Sequence, residues 1–249
     1  MPISAVIISL DAASRIGQCL ASVSFCDEII VVDSGSTDET VVLARSAGAR
    51  VIEQTWLGYG PQKQFAVQQA SFDWILCLDT DEAVSDTLRT SIEAELASPR
   101  AQVFAVSRCN RFLGRWLRHG EGYPDWSVRL FHRSAAQWSD DMVHEKVLSS
   151  QPVARLRGDL LHDSAETLER YLEKQARYTS LQAEELHREG RKVTVAQLLL
   201  SPLARFLKFY CFRLGFLDGL PGLLHVCIGC MNSFTKYAKV LALQKVSTP

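Results

Sequence analysis

Glycine and proline are scarce, 14 and 8 among 249 residues, which excludes a collagenous, low-complexity or disordered chain. With 47% of residues hydrophobic and 22% charged, the composition is that of an ordered globular protein. Net charge is all but absent: 27 basic residues stand against 28 acidic ones, so the global positive field of a dedicated nucleic-acid binder is missing and no nucleic acid is expected as a partner. The seven cysteines have neither an even number nor a regular spacing, unlike the disulfide framework of a small secreted domain, and a reducing cytoplasm is the expected compartment. Cys227 and Cys230 form a single Cys-x-x-Cys pair in an apolar stretch, which reads as buried thiols rather than zinc. His119, His132, His144 and His162 lack a tight metal spacing and read singly as structural histidines. No basic region or small-residue cleavage site precedes Ala5-Val6-Ile7-Ile8, so this run reads as a first strand and not a signal peptide. Internal repeats and charge blocks are missing as well.

What is there begins with strands and helices in alternation. A chain of this length folds as one large domain or as a domain with an appendage, burying roughly 70–75% of the surface its unfolded form exposes. Apolar runs bounded by turn residues lie at Ile3 to Leu10, Glu28 to Val32, Arg50 to Glu53 and Trp74 to Leu78, each short enough for a buried strand. Ser36-Thr37-Asp38-Glu39 has the pattern of a capping box, with Ser36 accepting from the amide of Glu39, and Gly48 supplies the left-handed residue that ends the helix. Repeated βα units of this kind predict a predominantly parallel sheet whose ligands gather beyond the carboxyl ends of its strands.

Two of those strand ends are acidic. In Val32-Asp33-Ser34-Gly35-Ser36, Asp33 either accepts from a base or ribose or closes an ordinary Asx-type turn. In Leu78-Asp79-Thr80-Asp81-Glu82, three carboxylates fall within four residues directly after an apolar strand. Their mutual repulsion calls for a cation, and Mg2+ or Mn2+ held by one or two carboxylates together with substrate phosphates is the natural one.

The strand ending in VVDSGSTD, the later strand ending in LDTDE, the segment Tyr123-Pro124-Asp125-Trp126-Ser127-Val128-Arg129-Leu130-Phe131 and the triplet Val143-His144-Glu145 together resemble glycosyltransferase family 2. More narrowly they resemble its bacterial lipopolysaccharide-core β-1,4-glucosyltransferase-like members. The likeness covers nearly the whole chain, including Gly215-Phe216-Leu217-Asp218-Gly219, and it implies an α/β fold of the GT-A type. It also implies a UDP-sugar donor and inversion at the anomeric carbon. Carried over, it assigns Asp33 to the uracil or ribose, and Asp79 and Asp81 to the D-x-D pair that holds the metal. Asp81 is the more direct ligand, and Asp79 is turned also to the ribose. Glu82 orients the site from behind. Lys63 resembles the family's basic residue near the donor, with a solvated helix lysine as the alternative. Glu145 is the expected base on the acceptor hydroxyl, followed by Asp125 and then by Asp140 or Asp141; a positioned carboxylate contributes about 10²–10⁴ in rate. Arg129 suits a diphosphate, a catalytic carboxylate or a structural ion pair. His162, beside Asp163, suits the metal or the diphosphate. Asp11-Ala12 stands where the family usually has Asn-Glu, and Gln64 where it often has Asn, which removes one expected contact to the base.

After Glu166 the pattern turns helical. Leu168, Tyr171, Leu172, Tyr178 and Leu181 recur at near-helical spacing and predict an amphipathic helix packed on the catalytic domain. Beyond Pro202, Leu203, Phe206, Leu207, Phe209, Tyr210 and Phe212 alternate with Arg205, Lys208 and Arg213. Such a segment suits the surface of an anionic membrane; a buried helical pair or a dimer contact is the alternative. The uncharged run from Gly219 to Thr235 falls short of the ~20 apolar residues of a spanning helix. The expected division is a nucleotide-sugar-binding half over residues 1–100, an acceptor-binding half over 101–163 and a helical C-terminal extension over 164–249.

The favoured function is metal-dependent transfer of a hexose, glucose by the resemblance, from a UDP-sugar to a lipid-linked glycan of the lipopolysaccharide-core kind. The expected location is peripheral, on the inner face of the cytoplasmic membrane. A sugar nucleotidyltransferase would need a Gly-rich basic loop after the first strand, and Ser9-Leu10-Asp11-Ala12-Ala13-Ser14 supplies none. A catalytically silent, membrane-associated nucleotide-sugar-binding module would tolerate loss of the acidic triplet, which this chain retains.

Overall fold

Every residue of the first strand, β1 (Ile3–Ser9), is buried, because it runs between two apolar layers and its period-two alternation divides its side chains between them. Ala5 and Ile7 join Val31, Leu76 and Leu78 on one face. Val6 and Ile8 join Ile30, Val32, Ile75 and Cys77 on the other. The computed structural model describes residues 1–142, 145–164 and 167–246; Val143 and His144 of the Val-His-Glu triplet and Glu166 lie outside the described residues. After β1 follow α1 (Ile16–Ser22), β2 (Glu28–Asp33), α2 (Thr40–Ser46), β3 (Arg50–Glu53), α3 (Tyr59–Gln69), β4 (Trp74–Asp79), β5 (Glu82–Val84) and α4 (Asp86–Ala97). The chain continues through β6 (Val103–Phe112), β7 (Arg115–Trp116), β8 (Asp125–His132), β9 (Ala136–Trp138), β10 (Val147–Ser149) and β11 (Val153–His162), and then α5 (Leu168–Arg188), α6 (Val195–Phe206) and α7 (Gly219–Val246).

The chain divides into two compact units. The first holds Met1–Cys109 and Asp125–His162. Its sheet has the order β3-β2-β1-β4-β8-β6-β11-β5. The strands expected from the sequence are all present, and pairing is parallel from β3 through β4. Beyond β4 the sheet turns antiparallel, β4 pairing with β8, β8 with β6 and β11 with β5. The sheet is therefore mixed, and its parallel character is confined to the half built from βα units. Register brings Ser9 opposite Asp33 and Ile8 opposite Asp79, so β1, β2 and β4 release their chains at one edge. On β11, His162 lies opposite Glu82, which delivers a histidine to the same edge from the antiparallel half.

Two local signals fare differently. The capping box at Ser36 does not form. Helix α2 starts at Thr40 with no side-chain cap, and the Ser36 hydroxyl instead donates to Asp33 Oδ2 at 2.6 Å while accepting from the Asp11 amide. A charged acceptor competes better for that hydroxyl than a helix end does. Gly48 ends α2 as expected: at φ +84° it donates to Arg45 O while Ala49 donates to Ala44 O, the two bonds of a Schellman motif. Gly60 meets a tighter demand. A Cβ there would sit 2.0 Å from the Ser139 carbonyl oxygen, and the amides of Tyr59 and Gly60 donate to the carbonyls of Met142 and Asp141. The start of α3 is thereby seated on the segment leading towards Glu145.

The second unit holds Asn110–Pro124 and the chain from Asp163 onward. In it β7 pairs with the end of β6, and α7 packs against α5 and α6 around Ala183, Val193 and Val240. Leu168, Leu172 and Leu181 are exposed, whereas Thr179 and Ala183 are the buried residues of α5. The leucines of the expected stripe are thus turned to solvent while Tyr171 and Tyr178 are half-buried, Tyr171 against the Phe112 and His225 rings; the smaller Thr179 and Ala183 form the buried face. Pro202 lies inside α6, not ahead of it, and the helix runs on into a π-helical segment, Leu207–Phe212. All seven cysteines are free, and Cys227 and Cys230 are half-buried.

Candidate functional site

Beyond the carboxyl ends of β1 and β4 opens a cavity of about 650 Å³, walled by Ile8 to Leu10, Trp56, Tyr59, Asp79 to Asp81 and His162. The two D-x-D residues sit on the turn between β4 and β5, and His162 joins them from the end of β11.

Beneath this wall runs one chain of charges. Lys63 Nζ, from α3, lies 2.9 Å from Asp79 Oδ1 and 2.7 Å from Glu145 Oε1. Arg129, from β8, donates to Asp79 Oδ2 at 3.2 Å and to Glu82 Oε1 at 2.5 Å. The Asp79 amide donates to the other Glu82 oxygen at 3.0 Å. Arg108 extends the chain, 4.0 Å from Glu82 and 2.7 Å from Asp125, so Glu145 and Asp125, the two leading candidates for the base, occupy its opposite ends. Trp138 covers both buried cations, with Lys63 Nζ 4.8 Å and the Arg129 guanidinium carbon 5.9 Å from its ring centre; aromatic faces favour such neighbours.

Burial pushes the Asp79 carboxyl up, but Lys63 and Arg129 beside it outweigh burial and hold it well below the usual carboxylate range. Glu82 goes the other way. Its burial outweighs Arg129, and nearby Asp79 adds to the rise. The acidic triplet therefore does not rely on an added ion alone: two side-chain cations neutralise Asp79 and Glu82. This corrects the expectation that only a bound metal would relieve the repulsion. Asp81 stands apart. Among the described residues its ion-pair-range contacts are long, His162 Nε2 at 3.4 Å and Arg15 Nη1 at 3.8 Å.

Asp33 is 1% exposed and is not part of the cavity wall. Oδ1 accepts from the amides of Gly35 and Ser36, and Oδ2 accepts from the hydroxyls of Ser9 and Ser36. These bonds overcome the effect of burial and lower its pKa. The turn that its sequence allowed is formed, with Asp33 at the carboxyl end of β2, next to β1. Lys63 and Arg129, 4% and 3% exposed, lie behind the wall and hold its carboxylates. Lys63 is not a solvated helix lysine. Asp140 and Asp141 are exposed. Sequence reasoning missed Arg108, Trp138, Trp56 and Tyr59. The last two carried a signal, aromatic residues flanking a glycine directly after a short strand.

Residues 4–151 match the sequence model described as glycosyl transferase family 2. The chain belongs to glycosyltransferase family 2. It is a glycosyltransferase, and the matched residues contain the D-x-D turn, the whole charge chain and most of the cavity wall. Over its full length it is 32% identical to "Lipopolysaccharide core biosynthesis glycosyltransferase LpsC" of Rhizobium meliloti, covering 96% of this chain and 92% of that one. An uncharacterized glycosyltransferase of Rickettsia typhi is 31% identical, with 97% and 87% covered. Among solved structures, residues 1–349 of S. aureus TarS superpose with a TM-score of 0.51 at 15% identity, covering 99% of this chain and 92% of that one, a likeness of fold.

Removing the Arg129 guanidinium leaves the buried Glu82 carboxylate without its closest cation, beside the half-buried Asp79. Arg129→Met is expected to cost about 3–5 kcal/mol, measured by urea unfolding. Adding Glu82→Gln to that variant is expected to recover part of the loss, because the orphaned charge goes with it.

Proposed function

We propose that this enzyme transfers a hexose, glucose by its resemblance, from a UDP-sugar to a lipid-linked glycan of the lipopolysaccharide-core or a related cell-envelope kind, with inversion and with a bound Mg2+ or Mn2+. The relative named for lipopolysaccharide-core biosynthesis supports the acceptor class. The observation that carries the reading is the asymmetry of the D-x-D pair. Asp79 is held by two cations, while Asp81 lies at the cavity beside His162. Among the described residues no three His, Cys, Asp or Glu side chains are grouped to hold an ion unaided, which fits a cation that takes the rest of its ligands from substrate phosphates. Asp81 and His162 would hold it, and when bound it supplies positive charge to the departing diphosphate.

The chain's own residues do the rest. Glu145 takes the proton of the acceptor hydroxyl as that oxygen bonds to the anomeric carbon and the bond from that carbon to the diphosphate oxygen breaks. Lys63, 2.7 Å from Glu145 Oε1, keeps that carboxylate aimed. Asp125, held by Arg108, is the second candidate for this proton. Thr80 and Ser9 line the cavity between β1 and β4.

A lipid-linked acceptor places the enzyme at the inner face of the cytoplasmic membrane. Residues 190–249 carry eight Lys and Arg against one acid, Asp218, in a chain whose net charge is -1. Val195, Leu199, Leu203, Leu207, Phe212 and Leu217 are all exposed there. The helical run Val195–Phe212 has the apolarity of a membrane span, and none of its 18 residues is buried. At 1.5 Å per residue it reaches about 27 Å, short of the ~30 Å hydrocarbon core. A helix lying in the interface suits it better than one crossing.

Asp81→Ala is expected to lower metal-dependent transfer at least 100-fold with the unfolding transition unchanged, since Asp81 supports no buried group; calorimetric titration of Mn2+ in the presence of UDP checks the metal directly. Unchanged activity in that variant contradicts the metal assignment. Phe212→Glu combined with Leu217→Glu, both on exposed positions, is expected to weaken binding to anionic liposomes tenfold or more in a sedimentation assay. Equal sedimentation of the variant and the parent contradicts the membrane surface.

A further inference from the structure

Gly215-Phe216-Leu217-Asp218-Gly219, the last motif of the family resemblance, takes no part in the charge chain or the cavity wall. It forms the turn between the π-helical segment and α7, and its polar and small residues fasten that turn. Asp218 is 2% exposed. The amides of Arg118 and His119 donate to its Oδ2 at 3.0 and 2.8 Å, and His119 Nδ1 lies 3.0 Å from Oδ1. Arg115 donates to Leu217 O at 3.0 Å, and the Gly120 amide donates to Arg213 O at 2.8 Å. A Cβ on Gly215 would sit 2.7 Å from Phe209 O, so only glycine allows the turn to close on the preceding helix. Bonded along its length, the turn has its shape before any partner arrives.

What the turn holds outward is apolar. Phe212, Leu214, Phe216, Leu217 and Leu220 are all exposed, Phe212 and Leu220 by 82% and 66%. Leu214 is the most telling of them. It has φ 56° and ψ 32°, a left-handed conformation that suits Gly or Asn and is costly for a leucine, and its side chain remains 44% exposed. In water that position rewards neither its backbone nor its side chain. Five large apolar side chains displayed on a fastened turn fit an apolar partner.

The neighbouring charges select which one. Lys208 and Arg213 flank the turn and are exposed. Asp218 is the sole acid between residues 190 and 249, and its charge is turned inward. Glu121, the sole acid of the segment Asn110–Pro124, is taken up by Arg205. A second copy of the chain docked on this face would set like charges against one another. An anionic bilayer accepts both features, cations at its headgroups and apolar side chains below them.

We propose that residues 212–220 are a preformed wedge that enters the acyl region of the membrane, and that the Gly-Phe-Leu-Asp-Gly motif builds it. This rests on the membrane reading above and adds to it the element that inserts: α6 lies along the interface, and the turn goes deepest.

The test uses the full chain and vesicles of equal parts phosphatidylethanolamine and phosphatidylglycerol. Leu214→Asn removes an apolar side chain and relieves the left-handed backbone, so it is expected to leave the thermal midpoint unchanged or raised while weakening cosedimentation about tenfold. In Leu217→Trp, the fluorescence added to that of the parent is expected to be quenched by lipids brominated on their acyl chains. A parent that cosediments while Leu214→Asn does so equally, or added fluorescence that bromine leaves untouched, overturns the wedge and leaves the membrane reading standing. A lowered midpoint in Leu214→Asn makes this leucine a packing residue and overturns its role. A dimer in solution that Leu214→Asn dissolves assigns the face to a second copy and overturns the wedge as well. A parent that does not cosediment overturns the wedge and the membrane reading together.

Discussion

The pairing of Arg129 with Glu82 and Asp79 is the constraint on which the rest of the site depends, because it decides how three neighbouring carboxylates coexist at the end of one strand. A guanidinium has the fork to engage two carboxylates at once and stays charged when buried. Placed on β8, antiparallel to β4, it sits directly beneath the D-x-D turn. With Lys63 on the other side of Asp79, the negative charge of the inner pair is balanced by the protein itself. The remaining carboxylate, Asp81, is left to the cavity. The division of labour within the D-x-D pair thus follows from where two cations are buried.

The same arrangement couples chemistry to scaffold. Lys63 reaches Asp79 and Glu145 simultaneously, so the carboxylate proposed as base is oriented by the same group that neutralises the D-x-D strand. Such a network holds its geometry only while every member is present, since each buried charge lacks water to fall back on. Seating α3 on the segment ending at Met142, through Gly60, fixes the distance between them. The charge chain belongs to the first compact unit, and the basic, apolar helical surface belongs to the second.

Much of this was legible in the sequence. The four early strands, Gly48 at its left-handed position and the acidic turn after β4 are local features, written in short windows of residues. What local windows lack is the partner from far along the chain. Ser36 looked like a helix cap because its competitor, the buried carboxylate of Asp33, shows its burial only once β2 is packed. A local window offers Lys63 only as a donor contact or a solvated lysine, because Asp79 and Glu145 are 16 and 82 residues away from it. Arg108 and Trp138, on β6 and β9, carry no motif at all. The antiparallel half of the sheet hid for the same reason: β4 pairs with β8 from more than 50 residues away, and β5, three residues long, is defined by its partner β11. Leu168, Leu172 and Leu181 show the converse failure: helical spacing was right, but the approach of α7 selected Thr179 and Ala183 for the buried face.

A crystal structure of the chain with UDP and Mn2+ tests the central claim most directly. The account predicts an ion bridging Asp81, His162 and the diphosphate while Lys63 and Arg129 keep hold of Asp79. An ion ligated by Asp79, with Lys63 displaced and Asp81 turned away, would contradict it.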